Sequence, residues 1–380
     1  MTSTDASHSP HLAVFLATSG HSGVDRIMKN LLPAIADRGF RVDLLHIENH
    51  GPYLQQAHDN IRVIPLGTRH VNTSLRALLG YLRRHRPRVL FADKDKLNRL
   101  AVIARLVSAH PPRVVIRMGT TVSKNLEKRG ALNRWVQYTS IGRLYRYADA
   151  VITPSQGAAE DLAAIAGLPV SRISVVPSPV ITPEFQRQLA ETVSHPWLVN
   201  KQVPVIVGIG ELSGRKDFAT LVRAFAKLRA ERQVKLIILG KGRELDALQL
   251  LTRKLGIADD VDLAGFQSNP YSYLAQADVF ALTSICEGSP VALMEAMAAG
   301  IPSVATDCPS GPRETLDNGR LGFLAPVGDD QQVYLGLKAM LDAPPDRQQL
   351  VQAAQRFSLA ASTTQYLEVL GLTGSNDDAG

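Results

Sequence analysis

The sequence predicts an α/β protein made of two doubly wound parallel-sheet domains in tandem. Three observations carry this. Short continuous apolar runs alternate with amphipathic helical stretches, as when helices cover both faces of a parallel sheet. A stretch punctuated by Pro177, Pro179, Pro183, Pro196 and Pro204 interrupts the alternation, which then restarts at Val203. A chain of 380 residues also exceeds one ordinary core. The expected domains are 1–180 and 203–357, with a linker at 181–202. A last helix at 358–370 is expected to pack back on the first domain, ahead of a tail at 371–380.

Residues 1–10 are polar and read as disordered. His11–Leu16 is the first strand, and Gly20 and Gly23 in the next loop permit close approach of a ligand or an ordinary turn. A helix follows over Val24–Arg38, with Val24, Ile27, Met28, Leu31, Leu32 and Ile35 at helical spacing, and Gly39 ends it. Further strands are predicted at Val42–Ile47, Ile61–Pro65, Arg88–Ala92, Arg113–Met118, Ala150–Thr153 and Ile173–Pro177. Helices are predicted at Ser74–His85, Asn98–Ser108, Leu132–Tyr147 and Ser155–Ala166, the last capped by Ser155. Asp93, Lys94 and Asp95 follow a strand directly, so they should stand at the carboxyl edge of the sheet, where ligands bind. With Lys96 and Asn98 they read as a polar substrate-facing loop, which we favour over a metal site because no third ligand is evident. Lys128–Tyr147 sets Lys128, Arg129, Arg134, Arg143 and Arg146 among Trp135, Tyr138, Tyr145 and Tyr147. This suits either an anionic membrane or a solvated helix face. Arg83, Arg84, Arg86 and Arg88 form a second basic cluster with the same two readings.

In the second half, strands are predicted at Val203–Ile209, Val234–Leu239, Val261–Ala264, Asp278–Thr283, Ser303–Ala305 and Gly322–Leu324. Helices are expected at Asp217–Glu231, after Gly240-Lys-Gly242, near Pro270–Ala277 and at Ser358–Leu370. Gly240-Lys-Gly242 is not a dinucleotide fingerprint, because Leu245 and Asp246 stand where a third glycine belongs. The segment Glu287–Glu295 reads as a helix start, with Ser289 as N-cap and Pro290 in the first turn, stopped by Gly300 and Pro302. Such an N-terminus suits a phosphate between two carboxylates. It also suits a capped core helix with two surface glutamates.

The net charge of +7 hides an asymmetry. Residues 1–180 hold 24 Lys/Arg against 12 Asp/Glu, and residues 181–380 hold 18 against 23. The basic half can face anionic lipid, a phosphorylated substrate or nucleic acid, or its charge can be surface drift. Two cysteines, Cys286 and Cys308, give neither a bridge framework nor metal spacing, which suits a reducing cytosol. No signal peptide is read, and no apolar run reaches the ~20 residues that span a bilayer.

Several ordered motifs give the second half a specific resemblance. They are Gly-x-Gly-x-Leu-x-x-x-Lys-Asp-Phe (208–218), Leu239-Gly-Lys-Gly-Arg243, Leu263-Ala-Gly-Phe266, Glu287 with Glu295, and Asp307-Cys-Pro-Ser-Gly-Pro-Arg-Glu314. From Val203 to Pro326 the chain resembles the retaining glycosyltransferase family 4, and Ser22-Gly-Val-Asp-Arg26 resembles weakly that family's first-domain loop. The resemblance implies a GT-B fold, two Rossmann-like domains with an interdomain cleft. It also implies transfer of a hexosyl or N-acetylhexosaminyl group from a nucleotide-sugar to an acceptor hydroxyl with retention. No metal or cofactor is expected. It further implies that Glu295 binds the ribose, Glu287 lies by the donor sugar, and Lys216 clamps the diphosphate. Amides of Ser289, Val291 and Ala292 would hold sugar and phosphate, Phe266 and Gln267 would meet the base, and Gly23 would approach the diphosphate. Asp93, Lys94 and Lys96 would serve the acceptor.

Three positions depart from the family's pattern. Glu211 stands where the family has arginine, so Arg215 or Arg313 is the candidate replacement. Arg117-Met-Gly-Thr120 occupies the place of a common histidine, and Pro290 replaces a common glycine. The expected partners are a nucleotide-sugar, a glycan or lipid-linked acceptor such as an undecaprenyl-diphosphate oligosaccharide, and an anionic membrane surface. Nucleic acid is not expected. A cytoplasmic place, peripheral on the inner face of the plasma membrane, follows. A non-catalytic nucleotide-sugar binder, silenced by Glu211, is the alternative.

Overall fold

The computed structural model describes residues 11–18, 23–54, 57–127 and 129–373. Residues 1–10, Gly20, Ser22, Lys128 and most of the expected tail lie outside them. The described residues up to Pro179, with those from Leu359 onward, form one compact unit, and Val180–Ser358 form the other.

The first unit holds β1 (His11–Phe15), β2 (Arg41–His46), β3 (Ile61–Pro65), β4 (Val89–Asp93), β5 (Arg113–Arg117), β6 (Ala150–Thr153) and β7 (Ile173–Val175). All pair in parallel in the order β3-β2-β1-β4-β5-β6-β7. Successive side chains of β1 go to opposite faces. Leu12 and Val14 join a core with Met28 and Leu31, while Ala13 and Phe15 join one with Leu78 and Ala101. Two buried faces explain why Leu12–Phe15 of β1 and Val89–Ala92 of β4 are continuously apolar rather than alternating. The helix Leu359–Leu370 packs on the helix Gly23–Ala36, with Tyr366, Leu367 and Leu370 buried in that first core.

The second unit holds β8 (Val205–Ile209), β9 (Lys235–Leu239), β10 (Val261–Gly265), β11 (Val279–Leu282), β12 (Ser303–Thr306) and β13 (Phe323–Ala325). Their order is β10-β9-β8-β11-β12-β13, again all parallel. Each sheet thus reverses its winding once, between β1 and β4 and between β8 and β11. Crevices at such switch points, beyond the carboxyl ends of the strands, are where ligands bind.

Residues 181–202 are not a linker. Helices Pro183–Leu189 and Pro196–Val199 bury Phe185 and Leu198 in the second core, and the Phe185 ring packs edge-on to Tyr271 at 4.9 Å. Of the prolines that suggested a linker, Pro183 and Pro196 sit at the first positions of these helices, where a missing N–H costs nothing. Two further helices were not anticipated from the sequence. Asp330–Asp342 covers β12 and β13, and Arg347–Ala354 packs on the helix Val291–Ala298. No helix among the described residues is long and apolar enough to cross a membrane.

Asp43 of β2 is fully buried yet well partnered. Arg62 grips it with two bonds of 2.9 and 2.8 Å, the Tyr81 hydroxyl donates at 2.7 Å, and His11 Nε2 lies 2.8 Å away. Burial pushes this carboxyl up, but hydrogen bonds from His11, Arg62 and Tyr81 outweigh it and hold the pKa well below the usual range. A depressed carboxyl stabilises the fold above its unfolded pKa, and that contribution is lost as pH falls towards the folded value. Asp43→Asn is therefore expected to cost about 2 kcal/mol in urea unfolding at neutral pH. The gap from wild type should narrow below about pH 4.

Candidate active site at the carboxyl edge of the second sheet

The loop after β8 is shaped by its glycines. A Cβ on Gly210 would lie 3.1 Å from Lys216 Cε, so the bare backbone lets the lysine stem lie across it. From the next strand, a Cβ on Gly240 would lie 1.8 Å from the Gly210 carbonyl, and one on Gly242 would lie 2.2 Å from that of Leu212. Gly240-Lys-Gly242 is thus a close backbone contact beneath the 210–217 loop, which explains two glycines without a dinucleotide site. Asp217, left-handed at φ 44°, caps the helix Phe218–Glu231 by accepting from the Thr220 amide.

The loops after β8 and β11 are laced together. The Thr283 hydroxyl donates to the Lys216 and Asp217 carbonyls at 3.2 and 2.9 Å, and the Ile285 amide donates to the Arg215 carbonyl at 2.8 Å. This lacing lies at the switch point and sets Lys216 against Glu287. Lys216 Nζ donates to Glu287 Oε1 at 2.6 Å, and the Ser284 hydroxyl donates to the same oxygen at 2.6 Å. Arg215 Nη1 reaches Oε2 at 3.4 Å and the Cys286 carbonyl at 3.3 Å. Glu287 is buried and Arg215 half exposed, so one carboxylate gathers two cations beside solvent. Of the two candidate replacements for the missing arginine, Arg215 joins the cluster. Arg313 is instead paired with Asp307.

The loop after β12 closes the third side. The Ser310 hydroxyl donates to the Glu287 carbonyl at 2.6 Å, and Gly311, at φ 101°, packs on the Pro290 ring. A Cβ there would lie 2.5 Å from Pro290 Cδ, so Pro290 and Gly311 fit as a pair. Cys308 is buried nearby. Burial and the Glu287 carboxylate push its thiol up to about 12, so it is no nucleophile.

Ser289 is not the N-cap. The helix runs Val291–Ala298, and the residue before it is Pro290, with ψ 68° and no side-chain cap. That turn spends the Val291 amide on the Ser289 carbonyl at 2.9 Å, and the Ser289 hydroxyl lies 3.9 Å from Met294 Sδ. The Val291 amide is thus held within this turn. Glu295 is not a surface glutamate. It is buried, and its Oε1 accepts from the Tyr271 hydroxyl at 2.9 Å. Phe266, beyond β10, is largely exposed with the Lys241 ammonium 5.9 Å from its ring centre, while Gln267 folds back onto the Ala264 carbonyl at 2.7 Å.

In the first unit, Gly23 opens the helix Gly23–Ala36. Asp93 is enclosed rather than exposed at the sheet edge. It closes β4, and its carboxylate meets Arg117 Nη1 at 2.7 Å, both side chains being 1% exposed. Asp95 turns elsewhere, to Arg99 at 2.6 Å and the Tyr145 hydroxyl at 3.2 Å, so the two acids share no site. Among the described residues, no three His, Cys, Asp or Glu gather as metal ligands. Lys94 takes φ 81° and its amide donates to Asp93 Oδ1, turning the chain sharply at the sheet edge. Lys96 does line a cavity, of about 250 Å³, with His50, His70, Val71 and Asn72. The two histidines come from the loops after β2 and β3. Sequence reasoning missed them because only the sheet order brings those loops beside the start of the helix Asp95–Val107.

The description "Glycosyl transferases group 1" matches residues 190–357, and "Glycosyl transferase 4-like domain" matches residues 22–179. The chain is 29% identical over 340 residues to the N-acetylgalactosamine-N,N'-diacetylbacillosaminyl-diphospho-undecaprenol 4-alpha-N-acetylgalactosaminyltransferase of Campylobacter jejuni, across 87% of this chain and 90% of that protein. It is 34% identical over 188 residues to the lipopolysaccharide 1,6-galactosyltransferase of Salmonella typhimurium, across 48% and 49%. Among solved structures, the apo form of the lipopolysaccharide outer core galactosyltransferase WaaB superposes with a TM-score of 0.76 at 20% identity, covering 95% of this chain and 99% of that one. Anabaena HepE in complex with UDP gives 0.75 at 21%, covering 96% and 100%. Two parallel switch-point sheets, family matches over both units and this shared architecture agree, and the chain is a GT-B glycosyltransferase resembling family 4.

Proposed function

We propose that the protein transfers a hexosyl or N-acetylhexosaminyl group from a nucleotide-sugar to a hydroxyl of a lipid-linked or surface glycan, with retention. The observation that carries this is the convergence of Lys216 and Arg215 on Glu287 at the second switch point. A diphosphate leaving group needs positive charge as its bond to the sugar breaks, and two cations fixed beside a carboxylate supply it without reorganisation. Glu287 holds both cations in place and stands by the sugar when the donor binds. Arg215 fills the place that Glu211 leaves vacant. Glu295, oriented by Tyr271, takes the ribose hydroxyls, and Phe266 offers an exposed ring to the base.

The relatives support donor and acceptor classes. HepE was solved with UDP, and the Campylobacter relative is named for an undecaprenol-diphosphate glycan. An acceptor of that kind carries a diphosphate, which suits Lys96, His50, His70 and Asn72 around the first-unit cavity. Lys96→Ala is expected to raise the acceptor KM about tenfold while the donor KM holds. Because Lys216 and Arg215 supply the charge, the reaction needs no metal, and turnover in chelator should match that without it.

The decisive experiment is a panel of nucleotide-sugars, scored by released nucleotide and by the anomeric configuration of the product. Turnover with one donor and a retained product supports the reading. Donor binding without turnover on any acceptor would replace it with a nucleotide-sugar binder.

A further inference from the structure

The helix Ala131–Leu144 is held firmly at one end and bare at the other. Its later half is anchored by buried Ile141, by Arg99 donating to the Ser140 hydroxyl at 2.9 Å, and by the adjoining Tyr145, whose hydroxyl donates to Asp95. Residues 131–136 are all exposed. Within that turn and a half, Leu132 is 74% exposed, Trp135 64% and Val136 47%. Their spacing of three and four residues puts them on one face. Among the described residues nothing covers this face, and a large exposed apolar group of this kind marks an interaction surface.

The charge around it selects the partner. From Lys128 to Tyr147 the sequence has five Lys/Arg and no Asp or Glu. Arg129 and Arg134 flank the apolar turn and are exposed, and Arg143 and Arg146 are exposed further along. Two copies of a uniformly basic patch repel when set face to face, which disfavours a symmetric pair. An anionic bilayer answers both features, since tryptophan settles at the headgroup level and basic side chains bind the surface potential.

We propose that Leu132, Trp135 and Val136, ringed by Arg129 and Arg134, seat the first unit on an anionic membrane surface. The transfer reaction proposed above is not needed for this, and binding can be measured with no donor present.

The test is co-sedimentation with vesicles of phosphatidylglycerol and phosphatidylcholine, against phosphatidylcholine alone. Binding is expected to the anionic vesicles only, and to fall at least about tenfold from low to high salt. Leu132→Ser with Trp135→Ser, and separately Arg129→Glu with Arg134→Glu, should each weaken it about tenfold or more. Both should leave thermal stability and turnover on a water-soluble acceptor unchanged. The chain has two tryptophans, the other being Trp197. A blue shift in emission on vesicle binding should therefore vanish in Trp135→Phe. No binding to anionic vesicles at low salt, or undiminished binding by both double variants, would overturn the proposal. So would a dimer that the Leu132/Trp135 variant converts to monomer, because the patch would then serve self-association.

Discussion

Lys216→Ala is expected to lower kcat by a factor on the order of 10²–10³, with a much smaller rise in donor KM. Lys216 is the cation closest to Glu287, at 2.6 Å, and its stem is fixed over Gly210. A fixed cation gains most when charge appears on the leaving phosphate, so its loss falls on the transition state rather than on ground-state binding. The fold should survive. Glu287 keeps the Ser284 hydroxyl at 2.6 Å and Arg215 at 3.4 Å, and the loop carbonyls keep the bonds donated by the Thr283 hydroxyl and the Ile285 amide. Arg215→Ala, from a half-exposed side chain at the longer distance, should cost less than Lys216→Ala. Initial rates of nucleotide release across a donor titration check both. A Lys216→Ala enzyme with wild-type kcat would remove the lysine from the reaction.

Arg117→Leu is expected to destabilise the first unit by about 3–5 kcal/mol. Asp93 and Arg117 lie side by side on paired strands, both fully enclosed. Burial opposes the guanidinium charge, while the Asp93 carboxylate at 2.7 Å restores it, so the arginine stays charged. Removing it strands a carboxylate without its counter-charge. The double variant Asp93→Leu with Arg117→Leu should be more stable than Arg117→Leu alone, because neither charge is then buried. Urea unfolding of the three proteins measures the coupling. Additive losses would show that the pair does not interact. Because the last helix buries Tyr366, Leu367 and Leu370 in the same unit, deleting residues after Leu359 should cost at least as much.

Much of the donor side was legible because its residues are close in sequence or spaced by a regular strand–loop–helix unit. The 208–218 loop and the 287–295 segment follow β8 and β11, and strands neighbouring at a switch point put such loops side by side. What was misread depends on where a side chain turns. Asp93 ends a strand at the carboxyl edge, as expected, but its side chain points to Arg117 on the next strand. Ser289 has the chemistry of a cap, yet the Pro290 turn places it one residue too early to act as one. The prolines between 177 and 204 look like a linker in sequence, whereas Phe185 and Leu198 show that the stretch is core.

The sequence by itself determined two parallel sheets, their helical cover and the donor-side motifs, because strand and helix periodicity and glycine geometry are local properties. Only the tertiary structure decided that Arg215 rather than Arg313 joins Lys216 on Glu287. It alone also decided that Asp93 is an internal counter-charge, and that His50, His70 and Lys96 share a cavity. Each of these is a meeting of residues from separate strands or loops. Such meetings depend on strand order and side-chain direction, which no single stretch of chain encodes.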